Sequence, residues 1–302
     1  VTAVVTGAAG FIGRHLVRAL LDAGERVIGI DREPQEPQDG LTVLTADLLD
    51  RDELVHAALA SADVVFHLAG CPGVRDNRPD VRQRRYRDNV LATAAVLAAV
   101  PPATPLVVTS SSSVYGGTRE GRPSAETDPV RPRGGYAESK VVVERLCHTR
   151  LRAGGAVAIA RPFTVAGEGQ RPDMALAQWI AAARAGRPLR ILGSPDRTRD
   201  ITDVRDCVRA LTALAEREVR GVVNIGTGVG HTLRALVDAV AAALDVEVRT
   251  YVTPADPAEA PDTRADTRKL ARLAGFVPQT DLPALVARQA RASAAVLPEP
   301  AV

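Results

Sequence analysis

Aromatic residues make up 3% of the 302-residue chain, with one tryptophan and one methionine, and cysteine occurs three times. Cys71, Cys147 and Cys207 lie far apart and form no C-x-x-C pair. That spacing fits neither a disulfide framework nor a thiolate zinc site, so no metal is expected and a reducing, cytoplasmic setting is. No apolar run approaches the roughly 20 residues that a membrane helix needs. The first residues lack the charged-then-apolar order of a leader, so neither secretion nor membrane insertion is expected. Charge of one sign is scarce as well: 38 Lys and Arg against 36 Asp and Glu leave +2, too little for a field that gathers nucleic acid. Arg75 to Arg87 holds six arginines, but Asp76, Asp80 and Asp88 are interleaved, and the stretch reads as a solvated helix face.

What the chain does have is a succession of short aliphatic runs and longer amphipathic segments. Ala3–Thr6, Arg26–Ile30, Thr42–Thr45, Asp63–His67 and Leu106–Thr109 alternate with helical patterns such as Phe11–Ala23, Glu53–Ala60 and Val90–Val100. Strands without polar alternation are buried on both faces, which predicts an α/β, Rossmann-type doubly wound parallel sheet. A helix over Tyr136–Arg152 and a strand over Val157–Ala160 complete that half. The expected division is 1–162 for dinucleotide binding and 163–302 for a smaller, interleaved substrate lobe, with Pro298–Val302 frayed.

Gly7, Gly10 and Gly13 sit between the first strand and the first helix. In that context glycines let the backbone turn sharply and approach a pyrophosphate, while the helix start, Phe11 and Ile12, offers free N–H groups. Asp31 closes the second strand, where a carboxylate bonds the adenosine ribose and repels a 2′-phosphate. NAD is therefore expected over NADP, although the adjacent Arg32 could partly offset that repulsion. Asp47 and Leu48 end the third strand, and Leu68, Ala69 and Gly70 follow the fourth, both at the edge where open α/β sheets bind ligands.

Tyr136 and Lys140 stand one helical turn apart, after a serine-rich strand end running from Thr109 to Gly116. An ammonium beside a phenol favours phenolate and makes it a usable base. With these residues in place, the chain resembles the extended short-chain dehydrogenase/reductases of the NAD-dependent sugar-nucleotide epimerase/dehydratase family, through Gly7–Gly13, Asp31, Asp47, His67–Gly70, Ser111–Gly116, Tyr136–Lys140, Arg161-Pro162, Arg199-Asp200, Asp203 and Ala265-Asp266. The resemblance implies that Ser111, Tyr136 and Lys140 are catalytic, with Tyr136 and Lys140 also touching the cofactor. Arg199 would hold the diphosphate of a UDP- or TDP-linked sugar, Leu189 and Ile191 would lie at the base, and Asp266 would join the substrate site. It also implies a homodimer through helices near Asp80–Val100 and Tyr136–Arg152.

The family's dehydratases place an Asp-Glu pair where this chain has Ser112 and Ser113, which disfavours a 4,6-dehydratase. Arg75, Ser112, Ser113, Thr164 and Arg171 are similar to the UDP-glucuronate 4-epimerase branch, and hydroxyls with a guanidinium suit a uronate carboxylate. The expected activity is NAD-dependent 4-epimerisation of UDP-glucuronate or a related uronate. A 4-ketoreductase or atypical dehydratase is the alternative, and a non-catalytic NAD(H) sensor is a third reading that the intact Ser111, Tyr136 and Lys140 oppose. Asp256 falls where many relatives carry a diphosphate arginine, leaving Arg197, Arg264 or Arg268 as substitutes.

Overall fold

The computed structural model describes residues 1–50, 52–76 and 78–294, so the expectation for Pro298–Val302 lies outside the described residues. The chain begins β1 (Thr2–Thr6), α1 (Phe11–Asp22), β2 (Arg26–Asp31), β3 (Leu41–Thr45), α2 (Glu53–Ser61) and β4 (Val64–His67). A long helix follows in three parts: α3 (Val81–Arg85), a π-helical stretch over Tyr86–Leu91, and α4 (Ala92–Ala99). Next come β5 (Leu106–Thr109), a 3-10 turn over Ser112–Tyr115, α5 (Gly134–Arg152), β6 (Val157–Pro162), β7 (Thr164–Ala166) and α6 (Ala175–Arg184). The remainder is β8 (Leu189–Leu192), β9 (Thr198–Asp203), α7 (Val204–Glu216), β10 (Gly221–Ile225), β11 (Gly230–Thr232), α8 (Leu233–Leu244), β12 (Thr250–Thr253), α9 (Arg268–Ala274) and α10 (Leu282–Ala294).

Seven of the strands form one parallel sheet in the order β10-β6-β5-β4-β1-β2-β3. Val4 pairs with Ile28 on one side and Val65 on the other, so β1 is central and the strand order reverses beside it. Such a switch point opens a crevice at the carboxyl ends of β1 and β4, where the glycine turn and the His67–Gly70 segment meet. Both sheet faces are covered. Leu16, Val17 and Leu20 of α1 pack with Cys207, Val208 and Leu211 of α7 on one face. On the other, Val96 and Val143 close over Val65 and Val108. Each large aliphatic side chain buried this way is worth roughly 1.5–3 kcal/mol.

Residues beyond 162 thus supply both a strand and a covering helix of the large sheet. What they build separately is smaller: a sheet β11-β9-β7, the pair β12-β8, and an apolar core between α6, α8 and α10 that includes Trp179, Leu236 and Val286. Among the described residues no helix is long and apolar enough to cross a membrane.

Candidate active site

One cavity of about 620 Å³ lies along the carboxyl edge of the sheet and is lined from both sides of the chain. At one end are Gly7, Gly10, Phe11, Ile12 and Gly13. Gly7 has φ +73°, and a Cβ there would stand 2.6 Å from the Ala69 nitrogen. A Cβ on Gly13 would stand 2.0 Å from the Gly7 oxygen. Only glycines close this turn. Gly10 is the N-cap of α1 and no side chain caps the helix, which leaves its first N–H groups for a phosphate.

Asp31 reaches the same end, its carboxylate accepting from the Ala9 N–H at 3.0 Å and the Glu33 N–H at 3.1 Å. Arg32 does not offset it, because its fork is taken by Asp88 at 3.2 and 3.1 Å. Arg87 bridges Asp47 and Asp88 at 2.8 Å each. Burial would raise the Asp47 carboxyl, but the Leu49 N–H, Arg87 and Arg32 hold it below its ordinary value. Leu48, Leu68, Ala69 and Gly70 complete the wall. The glycine turn, the uncapped helix start and a ribose-side carboxylate that rejects a 2′-phosphate fit NAD.

Ser111, Tyr136 and Lys140 meet at the middle of the cavity. Lys140 is buried and donates from Nζ to the Thr109 carbonyl at 2.9 Å, and burial pulls its pKa down to about 8. At that value the ammonium still carries its charge at neutral pH, one helical turn from Tyr136. Burial pushes the Tyr136 phenol up, and the groups that draw it back are the Ser111 hydroxyl and the Arg171 and Arg85 charges. Beneath them, His67 is held between the Thr6 hydroxyl at 2.7 Å and the Thr93 hydroxyl at 3.0 Å. Burial and the Lys140 charge lower its pKa to about 3, so it is neutral.

At the far end Ser112, Ser113 and Thr164 line the cavity with Arg75, Arg171 and Arg199. Ser111 caps the 3-10 turn by accepting from the Ser113 N–H at 3.1 Å, which turns the serine run across the cavity. The Ser113 hydroxyl is buried and has no partner among the described residues. Arg171 grips Asp173 through Nε and Nη2, each at 2.9 Å.

Several expectations move. Leu189 and Ile191 are buried in the smaller lobe's core, and Arg190 and Leu192 line the cavity instead. A strand shows alternate residues to opposite faces, and the guess took the wrong face. Asp266 is bound by Arg268 and lies away from the cavity lining. Asp256 also stays out of it, accepting from the Ala258 N–H at 2.8 Å to form a turn. Arg264 bonds the Gly121 carbonyl, and neither it nor Arg197 nor Arg268 lines the cavity, whereas Arg75 does and shares an acid, Glu259, with Arg199. The Arg75–Arg87 stretch is not wholly solvated either. Arg85 is 6% exposed and donates to the Gly73 carbonyl at 2.5 Å, clamping the loop that carries Arg75.

Two contributors escaped the sequence reading. Asn89, buried in the π-helical stretch, accepts from the Cys71 N–H at 2.7 Å and donates to the Ser139 hydroxyl at 2.8 Å, tying α5 to the loop after β4. In sequence it is one more polar residue at the end of the Arg-rich stretch, just before the apolar run from Val90. Glu259 lines the cavity between Arg75, at 3.4 Å, and Arg199, at 3.6 Å, and had no local signal at all. All three cysteines are buried and unpaired, and among the described residues no cluster of three or more His, Cys, Asp or Glu is placed to hold a metal.

Comparison with known proteins agrees with this geometry. A probable UDP-glucuronate 4-epimerase of Rhizobium meliloti is 31% identical over 325 aligned positions, covering 94% of each chain. The crystal structure of UDP-glucuronic acid 4-epimerase from Bacillus cereus, in complex with UDP-glucuronic acid and NAD, superposes with a TM-score of 0.90 at 29% identity, covering 98% of this chain and 100% of that one. MoeE5 in complex with UDP-glucuronic acid and NAD gives 0.89 at 36% identity over 98% and 100%. The family model matches residues 3–226, and by that match and the NAD-fitted cavity the chain belongs to the NAD dependent epimerase/dehydratase family of sugar-nucleotide enzymes.

Proposed function

We propose that the chain is an NAD-dependent 4-epimerase acting on UDP-glucuronate or a closely related nucleotide-linked uronate. The observation that carries this reading is Arg171. Coming from the smaller lobe, it lines the cavity with Tyr136, Ser112, Ser113 and Thr164, and its charge offsets part of the rise that burial gives the phenol. A carboxylate on the ring carbon next to the reacting one would meet that guanidinium and those hydroxyls together. The Bacillus cereus enzyme and MoeE5, both with UDP-glucuronic acid bound, support the same choice.

In this reading Tyr136, as phenolate, takes the proton of the C4 hydroxyl while Ser111 holds the same oxygen. NAD held beside these residues would supply the hydride acceptor and donor that inversion at C4 requires. Lys140, with a pKa of about 8, carries charge at neutral pH and would hold the nicotinamide ribose. Arg171 keeps the carboxylate fixed, which restrains the 4-keto acid from losing carbon dioxide. The absence of an acid–base pair at Ser112 and Ser113 argues against elimination.

Incubating the purified protein with UDP-glucuronate and following UDP-galacturonate by chromatography tests the reading. Conversion without added cofactor is expected. No conversion of UDP-glucuronate, with turnover of UDP-glucose, would reassign the sugar; consumption of added NADPH would favour the ketoreductase. We also take the working unit to be a homodimer, because Tyr86 and Leu91 stand exposed on the helix that the sequence offered for pairing. Light scattering decides that point.

A further inference from the structure

We infer that Glu259 sets the affinity of the site: its carboxylate stands between Arg75 and Arg199 as an internal anion, which the diphosphate of an arriving nucleotide sugar must displace. The inference rests on the sugar-nucleotide reading and names the group with which that ligand competes.

The strap from residue 254 to 263 follows β12 and crosses the mouth of the cavity, where Ala258, Glu259, Ala260 and Thr263 line it. Asp256 shapes the strap. Its side chain accepts from the Ala258 N–H at 2.8 Å and its carbonyl from the Glu259 N–H at 2.9 Å, a turn that sends Glu259 inward. The acid that looked misplaced in the sequence therefore serves to aim another.

The distances favour exchange. Glu259 is 3.4 Å from Arg75 and 3.6 Å from Arg199, longer than the roughly 2.7–2.9 Å of a tight charge-assisted bond. The arginines' shorter bonds go to backbone carbonyls: Arg75 to Asp173 at 2.6 Å, and Arg199 to Thr198 at 2.8 Å and Pro261 at 2.9 Å. Both guanidiniums are thus held in place without Glu259 and stay poised when it leaves. Burial lowers the Arg199 pKa and Glu259 raises it, so this buried charge calls for an anion beside it. One carboxylate brings one negative charge to two guanidiniums, whereas a diphosphate brings two. The strap itself is anchored just beyond Glu259, where Asp262 accepts from the Thr198 N–H and hydroxyl at 2.8 Å each, so the exchange asks only the Glu259 side chain to move. A free uronate brings a single carboxylate, no more charge than Glu259 already supplies, so the same contact discriminates against substrates lacking a diphosphate.

Calorimetric titration of UDP and of uridine into the NAD-loaded protein tests this in wild type, Glu259→Gln and Glu259→Ala. Removing the competing anion should tighten UDP about tenfold in both variants and leave uridine within about twofold. Unchanged or weaker UDP binding in both would overturn the proposal, because Glu259 would then be organising the arginines rather than competing for them. An equal gain for uridine would overturn it too, marking the strap as a steric cover. Should UDP bind none of the three proteins, the sugar-nucleotide reading falls with it; should wild type bind UDP and the variants not tighten, only the role of Glu259 falls.

Discussion

The two ends of the cavity are built on different principles. At the cofactor end the recognising groups are backbone N–H groups at a helix start, glycines that no other residue can replace, and a carboxylate already bonded to two N–H groups. The charges there, Arg32, Arg87, Asp47 and Asp88, are neutralised within one network. At the substrate end the recognising groups are long arginines whose acids sit on separate loops, Asp173 for Arg171 and Glu259 for Arg75 and Arg199. The first end is shaped in advance for a cofactor that stays, and the second carries protein anions in place of those a substrate would bring. Preorganisation at one end and exchange at the other let a resident cofactor and a transient substrate share one cleft.

Four changes test that contrast. The largest effect is expected at the junction: Tyr136→Phe should cut kcat by roughly 10²–10⁴, the usual range for removing a general base, measured by conversion of UDP-glucuronate. Next, Gly13→Ala should abolish NAD retention while leaving UDP binding in place, since its Cβ would stand 2.0 Å from the Gly7 oxygen. Nucleotide released on denaturation and a UDP titration separate the two; NAD retained at wild-type level would break the distinction between a rigid end and an exchanging one. Arg171→Gln should do the converse, raising KM for UDP-glucuronate roughly 10–100-fold, as loss of a charged hydrogen bond does, with NAD content intact.

The smallest effect concerns pH. His67, under the cofactor end, has a pKa of about 3 in the folded chain against an ordinary 6.5. The unfolded chain binds that proton more readily, so stability falls as pH drops from about 6.5 toward 3, by at most about 1.4 kcal/mol per pH unit. Urea midpoints of wild type and His67→Gln between pH 4 and 7 should converge toward acid. A parallel pH dependence in the two proteins would show that His67 is not the group responsible.

Much of the cofactor end was legible because its signals are local. Strands covered on both faces read as unbroken Val, Ile and Ala runs, and the Gly7–Gly13 spacing and Tyr136–Lys140 turn lie within a few residues of each other. The substrate end draws on loops far apart in the chain, so its partners could not be read. Arg75 and Arg199 were legible without Glu259, which arrives only once the strap has reached the cavity. At β8 the four residues fixed the strand but not its facing, because both sides carry apolar side chains. Spacing along a helix told where Lys140 stood, and only the folded backbone showed that the Thr109 carbonyl fixes its ammonium.

The wide turns over Tyr86–Leu91 make chain length a constraint in its own right. Each π turn holds more residues than the 3.6 of an α-helix, and the surplus sets the angle at which Asn89 reaches Cys71 and Ser139. Deleting one residue there would restore an ordinary helix and remove the widened turn from which Asn89 reaches both partners. The count of residues in this stretch cannot change without uncoupling α5 from the loop after β4.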